Sequence, residues 1–189
     1  MINKREDYMK IVKAILEDEK IIEIEEYLKS KNERDYILFL CGITLGLRIG
    51  DILRLKVGDI LNKDIIYITE RKTGKSKEIA ISRKLKSELK KYCKGKEVTE
   101  YLIKSREGEN KPIGRDRAYR IIKSASAEFG LERIGTHSLR KSFGRKYYEK
   151  YGDIEGLRKF FNHSNAEVTR RYIGLEQEII NRKVKSLWD

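Results

Sequence analysis

The chain of 189 residues carries 43 lysines and arginines against 30 acidic residues, a formal net charge of +13, with an isoelectric point of about 9.6. That length suffices for one domain with a real hydrophobic core and is short for two. So large a basic excess points to an anionic partner, a nucleic acid before an acidic protein or a membrane surface. Cys41 and Cys93 are too few and too isolated for a zinc site or a disulfide framework. No apolar run approaches the ~20 residues of a membrane span, and residues 1–13 are charged and unlike a signal sequence, so a reduced, cytoplasmic location is expected.

Pro112 is the single proline, and neither a Ser/Gly-rich linker nor an internal repeat divides the chain, so one unit over residues 1–189 is expected. Between Tyr8 and Leu28 the residues Ile11, Val12, Ile15, Leu16, Ile21, Ile22, Ile24 and Leu28 recur at mostly helical spacing. The charged stretch 17–20 interrupts them, which fits one broken or two short helices. Asn32 is placed to cap a helix from Glu33 to about Gly46. A second helix is expected near Leu47 with Ile49, Ile52, Leu53 and Leu55 inward, which sets Arg48 at a helix start.

The period then changes. Ile66 and Ile68 alternate with Tyr67 and Thr69, and Ile79 and Ile81 with Glu78 and Ala80, around the turn Lys72-Thr73-Gly74-Lys75. This reads as a β-hairpin with a basic tip. Helical patterns return over residues 82–94, 115–129 and 138–151, with a short apolar segment at 101–103. Asp153 can cap a short helix to Phe161, and segments 166–173 and 176–187 complete the chain. The fold class expected is mainly α with a small antiparallel β-sheet, an α+β chain.

His137 and His163 are the only two histidines. The run His137-Ser138-Leu139-Arg140 follows Thr136, a plausible helix cap, so His137 and Arg140 share a helical face at i and i+3. A capping histidine beside a surface arginine would give the same string. Arg48 and Asp51 repeat the spacing, either as an ordinary intrahelical ion pair or as an arginine at a helix start placed to receive an anion.

The segment Phe161-Asn162-His163-Ser164-Asn165-Ala166-Glu167-Val168-Thr169-Arg170-Arg171-Tyr172-Ile173 resembles the signature of the tyrosine recombinase (phage integrase) family, in which a histidine precedes the nucleophilic tyrosine by nine residues. Three further blocks resemble that family in the same order: Thr-x-Gly-Leu-Arg around Arg48, the hairpin lysine Lys72, and His-x-Leu-Arg at His137 and Arg140. Two features depart from the pattern. Asn162 stands where the family usually has glycine, and asparagine also tolerates positive φ. The family's usual N-terminal helical domain, which clasps the other side of the DNA, is missing, so the chain is either an excised fragment or a short form like the fimbrial-switch recombinases.

The resemblance implies a site-specific recombinase or integrase that cleaves and rejoins double-stranded DNA through a 3′-phosphotyrosyl intermediate on Tyr172. It assigns Arg48 and Arg140 to the scissile phosphate, a role suited to guanidinium because it stays protonated and offers fixed paired donors. His163 is a third donor, and His137 the base for a phenol whose ordinary pKa lies near 10. Lys72 resembles the family's general acid, with Lys75 as its competitor on the hairpin, while Arg71, Lys75 and Lys77 read otherwise as phosphate contacts. Asp51 would orient Arg48 or its neighbours. Covalent catalysis of this kind needs no metal and no cofactor.

Arg115, Arg117, Arg120 and Lys123 lie on the segment that, by resemblance, enters the major groove, with Tyr119, Ile121 and Ile122 as its apolar counterpart. Residues 175–189 place Ile179, Ile180, Val184, Leu187 and Trp188 close to one stripe, either exchanged between protomers or packed on the chain's own domain. The expected assembly is a homo-tetramer on paired sites and a monomer when free, with accessory DNA-bending proteins as further partners. Rival readings are a DNA-binding regulator that kept the fold, and a type IB topoisomerase-like nicking-closing enzyme. The target sequence, and the choice among integration, excision, inversion and dimer resolution, are not written in the chain.

Overall fold

The computed structural model describes residues 12–71 and 74–188. Two helices meet at Asn32, whose extended backbone ends α1 (Asp18–Lys31) and whose side chain accepts the Asp35 N–H at 3.2 Å to start α2 (Glu33–Leu45). The expected helical stretch before Asp18 is not helical over residues 12–17, and its portion over Tyr8–Ile11 lies outside the described residues. The absence of helix there has a cause. Lys13 N–H donates to Arg133 O at 3.0 Å, and Ile15 N–H donates to Ser142 Oγ at 2.7 Å, so this segment straps across other elements instead of bonding to itself.

α2 is the apolar spine and packs against α1, α5 (Arg83–Tyr92) and α7 (Thr136–Tyr151). Gly42 lets α2 and α7 approach, since a Cβ there would lie 2.3 Å from Leu139 Cδ1. Gly46 ends α2 at φ 60°. The helix expected after Leu47 is only one turn, α3 (Ile49–Ile52), and a second single turn follows, α4 (Val57–Ile60). The chain between them is used for other bonds: Leu102 N–H donates to Leu55 O, and Val57 N–H to Glu100 O, each at 2.8 Å. Ile52, Leu53 and Leu55 are buried as expected, and Ile49 is half-buried.

β1 (Ile65–Thr69) and β2 (Ser76–Ala80) form the antiparallel hairpin in the register Ile66↔Ile79 and Ile68↔Lys77. Its tip residues Lys72 and Thr73 lie outside the described residues. α6 (Arg115–Ala127) follows the 101–103 segment. α7 starts two residues earlier than expected, with Gly135 as its cap in place of Thr136, because Ser138 Oγ accepts the Gly135 N–H at 3.1 Å. Asp153 caps α8 (Ile154–Phe161) through Gly156 N–H at 2.8 Å, and Asn165 caps α9 (Ala166–Tyr172) through Val168 N–H at 2.9 Å. α10 (Leu175–Lys185) comes last. Among the described residues no helix is long and apolar enough to cross a membrane.

Candidate active site

The Thr-x-Gly-Leu-Arg string folds as it does because Gly46 meets two demands. Its positive φ turns the chain out of α2, and its missing side chain admits the Phe143 ring, whose Cδ1 would lie 2.4 Å from a Cβ. The turn leaves the Gly46 carbonyl facing α7, where Arg140 Nη1 donates to it at 2.6 Å. Arg140 Nη2 also donates to Phe161 O at 3.3 Å, and its guanidinium lies 4.3 Å from the centre of the Phe161 ring. With 3% of its surface exposed, Arg140 is part of the scaffold as well as of the site.

Arg48 and Arg140 converge on a buried acid, Glu70. Glu70 Oε2 lies 2.5 Å from Arg48 Nη1 and accepts from Asn162 Nδ2 at 3.2 Å. Glu70 Oε1 accepts from Lys77 Nζ at 2.7 Å and lies 3.7 Å from Arg140 Nη1. Burial pushes the Glu70 carboxyl up, but Lys77 and Arg48 outweigh it and hold the group down at about 2. Burial likewise pulls Lys77 below the ordinary lysine value despite its acid partner.

On the opposite side stand the residues of the long signature. Asn162 takes the left-handed conformation at φ 56°, so the departure from glycine is tolerated in the way expected. His163 Nδ1 lies 3.1 Å from the buried Thr169 Oγ1, a turn before Tyr172 on α9. The His163 and Tyr172 rings are 5.1 Å apart, and each is 5.3 Å from Phe161. Burial, then the charges of Arg140 and Arg48, depress the His163 pKa, so the ring is neutral at pH 7. Burial raises the Tyr172 pKa, and Arg140 and Arg48 oppose the rise without cancelling it. The phenol therefore carries its proton and needs a base to lose it.

His137 is exposed and lines a cleft of about 750 Å³ together with Arg48, Asp51, Arg71, Arg115 and Tyr119. Arg48 and Asp51 do not form the intrahelical pair that their spacing allows. Asp51 Oδ1 accepts from Arg54 Nη2 at 3.1 Å and from the Arg71 backbone at 3.2 Å, while Arg48 turns to Glu70. Arg117 and Arg120 line a second cleft with Arg34 and Arg106, and Lys123 is exposed beside the Tyr119 ring. Ile121 and Ile122 are buried as α6's apolar side, whereas Tyr119 is 42% exposed.

Lys75 lines a small cavity with Asn162 and His163, and Lys72 lies outside the described residues. Glu70 is not among the residues expected from the sequence, and Lys77, expected at most as a phosphate contact, is its ion-pair partner, although a signal for the pair is present. Ile66, Ile68 and Glu70 fall on one face at period two, as do Lys77 and Ile79, which places an acid and a base on the buried side of the hairpin.

The phage integrase family model matches residues 14–178. The probable integrase/recombinase YoeC of Bacillus subtilis is 48% identical over 170 residues, covering 90% of this chain and 93% of that protein. The tyrosine recombinase XerA of Pyrococcus horikoshii is 28% identical, and the match spans 85% of this chain but 56% of the relative. The type 1 fimbriae regulatory protein FimE of Escherichia coli is 30% identical over 74% of this chain and 73% of its own. Among solved structures, XerA recombinase superposes with a TM-score of 0.74 at 18% identity, over 94% of this chain and 64% of that one. A lambda integrase tetramer bound to a Holliday junction superposes with a TM-score of 0.65 at 20% identity, over 86% of this chain and 48% of that one. These structural likenesses establish the fold as that of a recombinase catalytic domain. The sequence matches, extending over nearly the whole chain, establish that it belongs to the phage integrase family, the tyrosine recombinases.

Proposed function

We propose that the chain is a site-specific DNA strand transferase whose nucleophile is Tyr172. The observation that carries this reading is the convergence of Arg48, Arg140 and the His163–Tyr172 segment, three separated stretches of sequence, onto one seam. The Tyr172 oxygen attacks the scissile phosphorus, the bond from phosphorus to the 5′ oxygen breaks, and a 3′-phosphotyrosyl link and a free 5′ hydroxyl result. A 5′ hydroxyl from a partner duplex reverses the step and returns the proton to Tyr172.

Arg48 and Arg140 neutralise the charge that grows on the non-bridging oxygens. His163 donates from Nε2 when the Thr169 hydroxyl turns its proton from the Asn165 carbonyl, its acceptor at 3.3 Å, to Nδ1, the tautomer this role requires. His137, on the cleft wall with Arg48, takes the phenol proton, and Lys72 protonates the leaving oxygen. Arg71, Lys75, Arg115, Arg117, Arg120 and Lys123 contact the DNA, with Asp51 holding Arg54 and the Arg71 backbone in place.

Strand exchange between paired sites calls for a tetramer, with accessory DNA-bending proteins where the sites demand them. The apolar stripe of α10 and the two residues after its cap support a docking role toward a neighbouring protomer: Val184 is 52%, Leu187 72% and Trp188 90% exposed.

Covalent capture tests the reading. A pool of nicked duplexes with randomised cores is incubated with the protein and resolved on a denaturing gel, and the retained DNA is sequenced. A covalent band that disappears in Tyr172→Phe, with DNA binding kept, is expected. Tight DNA binding with no Tyr172-dependent band would sink the proposal and favour a DNA-binding regulator. Capture without junctions between two duplexes would instead indicate a nicking-closing enzyme.

A further inference from the structure

We infer that Glu70 is a positioning residue of the phosphate clamp, its buried carboxylate setting the separation and aim of Arg48 and Arg140 before DNA arrives, and that Asn162 is its anchor. The inference rests on the reading of this seam as the cleavage site. Glu70 is fully buried, and both of its oxygens are engaged. Oε2 faces Arg48 and Asn162, and Oε1 faces Lys77 and Arg140. One carboxylate thereby ties together the α2–α3 turn, β2, α7 and the α8–α9 turn.

Asn162 is central to this arrangement. Where the family pattern has glycine, which supplies only backbone freedom, asparagine supplies the same positive φ and an amide that donates to Glu70 at 3.2 Å. The nucleophile side of the site is thereby bonded to the arginine side.

Arg48 is held but not saturated. Its Nη1 is in ion contact with Glu70 while 22% of the side chain stays exposed, so the remaining guanidinium donors can receive a phosphate oxygen entering the seam. Glu70 therefore supplies preorganisation, which acts on the rate of the chemical step. Its negative charge also sits close to where the phosphate must bind, which acts against affinity.

These two effects have opposite signs, and a residue that merely supports the fold would not separate them. On a duplex recovered by covalent capture, Glu70→Gln is expected to slow adduct formation by roughly 10²-fold, the scale of one misplaced clamp donor. The same variant should bind that duplex as tightly as the parent or more tightly. Asn162→Gly keeps the backbone conformation and should slow adduct formation several-fold with binding unchanged. Parent-like rates in both variants, or parallel losses of binding and rate, would overturn the inference. Should Glu70→Gln fail to fold, Asn162→Gly decides by the same two measurements.

A second readout does not depend on cleavage. His163 feels Arg140, Arg48 and Glu70 together, and with only two histidines in the chain its titration by NMR is readily assigned. Its pKa should fall in Glu70→Gln as the acid that raises it is removed, and an unchanged titration would count against the inference even if the parent protein formed no adduct with DNA. The absence of that adduct alone would defeat the proposed function and leave the titration to judge Glu70.

Discussion

The chain buries its apolar side chains in two places of different character. The larger core runs from Ile15 to Leu139, is mainly aliphatic and has α2 at its centre. The smaller gathers Leu157, Phe161 and Ile173 and is ringed by Phe143, Tyr147, Tyr148, Phe160 and Tyr172. Arg48 leaves the edge of the first, whereas His163 and Tyr172 are carried by the second. Arg140 spans both, donating to Gly46 O on one side and Phe161 O on the other. The seam thus sets Arg48 and Arg140 on the deeply packed side and His163 and Tyr172 on a small cluster, where local opening costs less than global unfolding.

The sharpest way to break this comparison is Phe161→Ala. The ring is fully buried and touches Arg140, His163 and Tyr172, so its loss should cost about 3–5 kcal/mol. Amide exchange should accelerate more in α8 and α9 than in α2. Equal acceleration throughout would show that the two cores open as one unit.

A somewhat smaller effect is expected from acid. Glu70 titrates at about 2 in the folded protein against an ordinary 4.5, so the unfolded chain takes up its proton first as pH falls. The stabilisation is present in full above pH 4.5 and is lost between 4.5 and about 2, roughly 3 kcal/mol by linkage. Denaturation followed across that range should show this loss in the parent and not in Glu70→Gln. Retention of the full slope in the variant would place the acid sensitivity elsewhere.

The smallest effect belongs to α10, where no residue is buried. Ile180→Ser should change stability by no more than about 0.5 kcal/mol while weakening protomer association on DNA, measured by sedimentation of the complex. A larger loss of stability would mean that the stripe packs within its own chain.

Much of this was legible in the order of residues. Asn32, Asp153 and the period-two hairpin announce themselves by local chemistry, because a cap or an alternation needs only near neighbours. α3 stops after a single turn where the helical pattern continues, because bonds to residues 100–102 redirect the chain and no local pattern reports them. The spacing of Arg48 and Asp51 allows an ion pair that does not form, because Arg48 finds its partner 22 residues further on, in Glu70.

The sequence by itself determined the caps at Asn32 and Asp153, the hairpin and the basic charge, since these follow from side-chain type and short-range spacing. Only the tertiary structure decided that Arg48, Lys77, Arg140 and Asn162 would share one buried carboxylate, and that Tyr172 would stand beside His163 at the junction of two cores. Burying that carboxylate is unfavourable until all its partners arrive together, and their arrival depends on how distant helices pack.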